Sequence, residues 1–139
     1  MAKITASEVN ALRKSTGAGM MDCKNALVEA EGDAEKAIEI LRKKGQKVAD
    51  KRADREATEG VIIAKISNDK TFAAVVRISC ETDFVAKNEN FVNFVSEIAQ
   101  KAADDKITNL DDLKNAVING ITIQDSVLDQ LGRIGEKIE

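Results

Sequence analysis

Apolar residues recur at helical spacing through the first 45 residues, in three segments, and the first and third begin with polar start signals. The first segment follows Thr5, which has Glu8 three positions later and so matches a capping box. Asp33 is placed to cap the third segment, and a basic run ends that segment before Gly45. The apolar positions on the shared faces are Val9, Leu12, Cys23, Ala26, Leu27, Ala30, Ala37, Ile38 and Leu41. The pattern predicts three short helices that pack as a small bundle.

After residue 59 the apolar period changes to two, which is typical of strands. In the first run, the positions assigned to one buried face are Ile62, Ala64 and Ile66. In the second run, they are Phe72, Ala74, Val76 and Ile78. A polar turn at 68–70 separates the two runs, so this region is predicted to form a β-hairpin with one buried face.

Three further helices are predicted beyond the hairpin. The first begins at about Glu89 with Asn88 as its cap, the second covers 110–119, and the third covers about 124–131. Residues 132–139 resemble the beginning of another strand. Because a two-stranded hairpin with three helices would gain from a third strand, we expect this chain to be the N-terminal part of a longer protein.

Together these elements predict an α+β protein in three parts. A three-helix domain covers 1–45, a charged helical connector covers 46–58, and 59–139 form the N-terminal half of an α+β core. In that truncated core, helices pack on an antiparallel sheet. The basic excess of the connector is interpreted as a solvated face, with phosphate binding as the minor alternative.

The composition excludes several kinds of catalysis. The chain has no histidine, so it has neither a Ser-His-Asp triad nor an imidazole base. Only Cys23 and Cys80 are available as thiolates, too few for a structural zinc site. We therefore expect a protein that is not an enzyme and needs no metal or cofactor, with a small enzyme as a minor alternative.

Charge and cysteine usage restrict the location and the partners. Cys23 and Cys80 form no CxxC motif, and we interpret them as free buried thiols in a reducing cytoplasm. The net charge of −3 and the absence of Trp and Tyr argue against binding to nucleic acid. No apolar run approaches the roughly 18–20 residues of a membrane span. A protein partner is the remaining expectation, and the oligomeric state stays open.

Met20 and Met21 lie where a glycine-containing turn meets the second helix. Thioether side chains are flexible and suit both core gaps and adaptable binding surfaces. Adjacent helix positions point about 100° apart, so both side chains cannot easily enter one core. We expect one methionine in the core and at least one as an exposed partner contact.

The segment 80–88, CETDFVAKN, joins the second strand to a helix and is rich in groups that bind partners. From periodicity alone, Phe84 is either a core residue or a contact residue. Asp83 is either a helix cap or a ligand to a partner. The spacing does not separate these alternatives.

Two blocks of sequence resemble the bacterial elongation factor Ts family. The first comprises ITA at 4–6, LR at 12–13, TGAGMMDCK at 16–24 and AL at 26–27, and the second is TDFVAKN at 82–88. They occur in the order and at the approximate separation that the family shows, and the closing IGE at 134–136 is also similar. The family normally continues into a second half of the core, which this chain lacks.

The resemblance implies a guanine-nucleotide exchange factor whose partner is elongation factor Tu. The N-terminal bundle is then similar to a ubiquitin-associated domain. In the family, an arginine and two methionines of this bundle dock against a helix of the GTPase domain. The matching positions are Arg13, Met20 and Met21.

The second block implies contacts near the nucleotide and magnesium site of the partner. The residues at those positions are Thr82, Asp83, Phe84 and Val85. The alternative is a ubiquitin-associated-like binding module without exchange activity. The hairpin and the Asp-Phe loop distinguish the two functions, because such a module needs neither.

Overall fold

The computed structural model describes residues 3–139, which fall into two compact units. The first unit comprises the residues before 54 together with 128–135, and the second comprises 54–127 together with 136–139. Helices combine with small antiparallel sheets, so the predicted α+β class is confirmed. The division into domains at residues 45 and 58 stays a prediction. Within residues 3–139, none of the helices combines the length and the apolar character that crossing a membrane requires.

The first unit contains three helices at the predicted places. They are α1 (Ala6–Thr16), α2 (Met20–Glu29) and α3 (Ala34–Arg52). The capping box is confirmed, because Thr5 Oγ1 accepts the Glu8 N–H and Glu8 Oε2 accepts the Thr5 N–H at 2.7 Å. Asp33 caps α3 as expected. The buried core consists of Val9, Leu12, Cys23, Ala26, Leu27, Ala30 and Ala37, with Ile38 and Leu41 packed against it.

The predicted end of α3 at Gly45 is wrong, because the helix continues to Arg52 and takes in half of the expected connector. Gly45 is buried where α3 approaches residues 128–134. A Cβ built on Gly45 would lie 3.3 Å from the carbonyl oxygen of Leu128, and one built on Gly132 would lie 3.3 Å from Cα of Gly45. This glycine therefore permits close helix packing and does not terminate the helix.

The hairpin is confirmed as β1 (Glu59–Ile66) paired with β2 (Ala73–Cys80). The face assigned in the first strand is wrong, since Ile62 and Ile66 are exposed. Val61 and Ile63 point inward instead, opposite the buried Ile78 and Val76 of β2. The positions Val61 to Ala64 are all apolar, so alternation within β1 does not identify a face. The pairing register with β2, whose own pattern was correctly assigned, decides it.

The turn between the strands is built around Asp69. Its Oδ1 accepts hydrogen bonds from the hydroxyl of Ser67 at 2.6 Å and from the hydroxyl and N–H of Thr71 at 2.7 and 3.1 Å. Its Oδ2 lies 3.1 Å from Nζ of Lys106. The Ser67 hydroxyl, followed by the two Thr71 groups and Lys106, holds the pKa of Asp69 far below its ordinary value. These bonds stabilise a turn that lacks the usual Asn-Gly sequence.

We expect Asp69→Asn to lower the free energy of unfolding at neutral pH, because the amide cannot carry the charge that these donors stabilise. The pKa of Asp69 is lower in the folded chain than the roughly 3.9 of an unfolded aspartate, so its ionised form favours folding above that value. The benefit is lost as the pH falls below about 4. Urea unfolding should show a constant difference at higher pH that narrows in acid. A difference that persists unchanged in acid would contradict this assignment.

The second unit continues with α4 (Asp83–Ala86) and α5 (Glu89–Asp104), which both pack against the hairpin. Asn88 caps α5 as predicted, by accepting the N–H groups of Asn90 and Phe91. The inner face of α5 is buried and includes Phe91, Val95, Ile98 and Ala102. The hairpin packs against this buried face of α5.

The helix predicted over 110–119 is shorter than expected. It is α6 (Leu110–Asn115). A small hairpin follows, in which β3 (Val117–Ile118) pairs with β4 (Ile121–Thr122), and each strand is two residues long. Asn119 and Gly120 adopt φ values of 54° and 80°. Asn-Gly favours such a turn strongly, and this signal outweighs the helical spacing of the apolar residues.

The last helix, α7 (Ile123–Ile134), is longer than the predicted 124–131 and ends at Gly135, whose φ is 77°. The predicted strand at 132–139 is therefore wrong, because α7 extends to residue 134 and no strand is formed by 135–139. Only Glu139 shows strand-like pairing: it donates its N–H to the carbonyl of Ser79 at 3.2 Å and accepts the Ser79 N–H at 2.7 Å. This reciprocal pair lies beside β2.

Candidate functional site

The first predicted contact group lies at the turn between α1 and α2. Arg13 is exposed in the last turn of α1, and Met20 and Met21 are the first two residues of α2. Met20 is 51% exposed and Met21 is 62% exposed. The expectation of an exposed methionine is confirmed, whereas the expectation that one of them is a core residue is wrong.

Cys23, not a methionine, is the buried residue in the first turn of α2. Its thiol faces the hydroxyl of Thr16 at 3.9 Å and the carbonyl of Ala18 at 3.8 Å. The two thioethers remain at the surface, where they offer a flexible apolar contact beside a guanidinium-bearing helix end.

The second predicted group lies immediately after β2. Thr82 is the N-cap of α4, and its hydroxyl accepts the N–H of Val85 at 3.5 Å. Asp83 is therefore the first helical residue and not the cap. We call residues Thr82–Val85 the contact loop.

Phe84 projects from the contact loop and is 82% exposed. The core interpretation of this residue is therefore wrong. An exposed phenyl ring on a short helix can transfer almost its full apolar surface to a partner. Val85, the next residue, is half-buried.

Asp83 forms an ion pair with Lys87 one turn later, at 2.9 Å between Oδ2 and Nζ. The hydrogen bond from Lys87, and then its charge, lower the pKa of Asp83, and Asp83 in turn raises the pKa of Lys87. The carboxylate is thus ionised at neutral pH and half-exposed. It can accept hydrogen bonds from a partner's backbone or side chains.

Two carboxylates that the sequence reasoning did not assign to the site support the contact loop. Glu136 Oε1 accepts the N–H groups of Glu81 and Thr82 at 3.1 and 3.0 Å, and its Oε2 accepts the Thr82 hydroxyl at 2.7 Å. Glu81 Oε1 accepts the N–H of Lys137 at 2.6 Å. More than 50 residues separate the partners, so no local sequence pattern could have revealed these bonds.

Cys80 supports the loop from the interior. It is a free, buried thiol, as expected, and it donates to the carbonyl of Thr82 at 3.2 Å. Burial, followed by the nearby charges of Glu136 and Glu59, raises the pKa of Cys80. The thiol is therefore kept protonated, as a donor must be, and its reactivity is low.

The two contact groups belong to different compact units. Among residues 3–139, no three His, Cys, Asp or Glu side chains come together in an arrangement that would hold a metal ion. What the chain presents is two exposed contact groups, one apolar and basic, the other an acid next to an exposed aromatic ring.

Comparison with known proteins identifies one family. The family model described as elongation factor TS matches residues 81–139. Elongation factor Ts of Christiangramia forsetii is 55% identical over 139 residues, which is all of this chain and 50% of that protein. Elongation factor Ts of Flavobacterium johnsoniae is 52% identical over the whole chain and 43% of its own length. That of Bacteroides thetaiotaomicron is 51% identical over 136 residues, or 98% of this chain and 41% of the relative.

This chain thus spans about half the length of the curated relatives that it matches. The region matched by the family model begins just before the contact loop and includes Glu136. The similarity to the relatives extends through the N-terminal helices as well. Along its whole length, the chain is therefore similar to the N-terminal part of curated elongation factor Ts proteins.

Proposed function

We propose that the chain acts in translation elongation as part of a guanine-nucleotide exchange factor that promotes GDP release from elongation factor Tu. The observation that carries the proposal is the exposure of Phe84 in a segment that resembles the family's second signature. Two relatives named elongation factor Ts, which are 55% and 52% identical over the 139 aligned residues, support the same conclusion. A cytoplasmic location is part of the proposal, since translation takes place there.

The proposed mechanism is a linkage between two binding events. An exchange factor that binds nucleotide-free elongation factor Tu better than the GDP-bound form must weaken GDP binding by the same factor. Such a mechanism needs no catalytic side chain on the exchange factor, which agrees with a chain that has no histidine.

In this mechanism the contact loop acts on the GTPase near its nucleotide and magnesium. Phe84 inserts between elements of the partner, and Asp83 accepts hydrogen bonds from groups that otherwise support the magnesium ion. Direct ligation of magnesium by Asp83 is the weaker alternative, because a single carboxylate makes a poor site. Thr82 and Val85 set the base of the helix from which these two side chains project.

Arg13, Met20 and Met21 serve as the docking group in the same proposal. They bind the surface of the GTPase domain and raise the occupancy of the complex, whereas the contact loop changes the affinity for GDP. We therefore expect substitutions in the docking group to change the half-saturating concentration, and substitutions in the contact loop to change the plateau rate of GDP release.

The test is the release of fluorescently labelled GDP from elongation factor Tu, with and without the chain. We expect the release rate to rise with chain concentration and to reach a plateau. Because this chain spans half of its relatives, we expect half-saturation at a higher concentration than for a complete elongation factor Ts, since binding energy is divided among several contacts and the other half of the relatives can supply some of them. Binding without faster release, from a folded chain, would favour the ubiquitin-associated-like binding module instead.

A further inference from the structure

Phe84 has almost no contacts of its own to fix its position. Its ring is 82% exposed, and α4 is only four residues long. Its placement therefore depends on the direction in which the chain leaves β2 and enters α4. That direction is set at Glu81 and Thr82, the two residues that precede the helix.

Glu136 binds this base directly through both carboxylate oxygens. Oε1 accepts two successive backbone N–H groups, those of Glu81 and Thr82, and Oε2 accepts the Thr82 hydroxyl. One side chain thus fixes two peptide planes together with the side chain of the N-cap. Hydrogen bonds to an ionised acceptor are stronger than neutral ones, and these lie in a partly buried environment.

The same segment is held from the opposite direction. The carboxylate of Glu81 accepts the N–H of Lys137, so each acidic residue binds the backbone next to the other. The backbone pairing of Ser79 with Glu139 continues the connection on the far side. Segments 79–82 and 136–139 are therefore joined by hydrogen bonds in both directions. Glu136 cannot shift without breaking its bonds to Glu81 and Thr82, at the base of the contact loop.

We propose that Glu136 is a positioning residue for nucleotide exchange: its carboxylate, bound to the Glu81–Thr82 backbone, holds the contact loop so that Phe84 is presented to the GTPase. The inference rests on the proposed function above. Glu136 does not touch the partner and acts only through the loop. The geometry of its acceptor oxygens is what matters, and not its charge alone.

This distinction can be tested with isosteric and non-isosteric variants. In Glu136→Gln, the amide oxygen can still accept both N–H groups, and the NH₂ group can donate to the Thr82 hydroxyl. In Glu136→Asp the charge remains, but a side chain one methylene shorter cannot reach both peptides. Glu136→Ala removes every contact. Glu139→Ala is the matched control, because Glu139 pairs with Ser79 through its backbone, and its side chain makes a 3.7 Å ion pair with Nζ of Lys137 and does not bind the Glu81–Thr82 backbone.

Two measurements are made on the full chain, after thermal unfolding has verified that each variant is folded. Amide hydrogen exchange by NMR reports the Glu81 and Thr82 N–H groups, and labelled-GDP release reports function. We expect Glu136→Ala to speed exchange of both amides and to lower the plateau release rate, each by about tenfold or more. The half-saturating concentration should change little, because the docking group is intact. Glu136→Gln and Glu139→Ala should stay close to the parent, and Glu136→Asp should be slower than Glu136→Gln.

A folded Glu136→Ala variant that releases GDP at the parental plateau rate would overturn the inference. If that variant does not fold, equal plateau rates for Glu136→Asp, Glu136→Gln and the parent would overturn it as well. Equal impairment of the Gln and Ala variants, with the Thr82 amide still protected in the Gln variant, would assign a direct electrostatic role to Glu136 instead. A parent chain that never speeds GDP release would contradict the proposed function. The amide measurement would still test whether Glu136 holds the Glu81–Thr82 backbone.

Discussion

Replacing Phe84 by alanine is expected to slow the stimulated release of GDP about 30- to 160-fold while the chain stays folded. Burial of one phenyl ring is worth about 2–3 kcal/mol, and each 1.4 kcal/mol corresponds to a factor of ten. That energy is available for exchange only if the ring is buried in the complex and exposed in the free chain, and Phe84 is 82% exposed. For the same reason, the free energy of unfolding should change by no more than about 0.5 kcal/mol.

Phe91 provides the matched control for this substitution. It is 2% exposed on the inner face of α5, so Phe91→Ala should reduce stability by about 3–5 kcal/mol. Thermal unfolding of the two variants should therefore differ sharply. A Phe84→Ala variant with a strongly lowered melting temperature and normal GDP release would show that the ring is structural, against the assignment made here.

The helix starts could be predicted from sequence because capping is local. Thr5, Asp33 and Asn88 each accept N–H groups from residues two or three positions later, and each begins a helix as expected. The end of α3 could not be predicted in this way. The residue that looks like a stop signal, Gly45, is needed for packing against Leu128 and Gly132, and those residues lie more than 80 positions away.

The strand faces show a similar limit. The second strand alternates clearly between Val76, Ile78 and the exposed Arg77, so its inner face was predicted correctly. The first strand is apolar on both faces, and only its register with the second decides that Ile63 is inside and Ile62 outside. Where both faces of a strand are apolar, its own residue pattern does not specify that register.

The contact residues themselves were found through two short sequence blocks, but the sequence did not establish which of them are exposed. Nothing in the spacing of Met20, Met21 and Phe84 shows that all three are exposed, since that depends on what packs beneath them. The support provided by Glu136 was missed altogether. It reaches the loop across 54 positions, so the similarity of 134–136 to the family did not indicate what its carboxylate binds.

Replacing Met20 and Met21 together by alanine is expected to weaken binding to elongation factor Tu about 30- to 160-fold. Full burial of one methionine is worth about 1.5–3 kcal/mol, and the exposed parts of the two side chains together amount to about one methionine, or about 2–3 kcal/mol. The loss should appear mainly as faster dissociation. Stability should fall by less than the roughly 2–5 kcal/mol of a buried Met→Ala change, because neither side chain belongs to the core.

Val28 provides a control that distinguishes binding by the docking group from nonspecific apolar binding by other residues of α2. It lies on the same helix, is 53% exposed, and follows Met21 by seven positions, or about 10 Å along the axis. Val28→Ala should therefore leave the affinity for elongation factor Tu unchanged, while Arg13→Ala should weaken it. In each variant the plateau rate of GDP release should stay near the parental value, because the contact loop is untouched, and only the half-saturating concentration should change. Equal losses from the Val28 and methionine variants would move the docking surface along α2, and unchanged affinity in the double variant would remove these methionines from the mechanism.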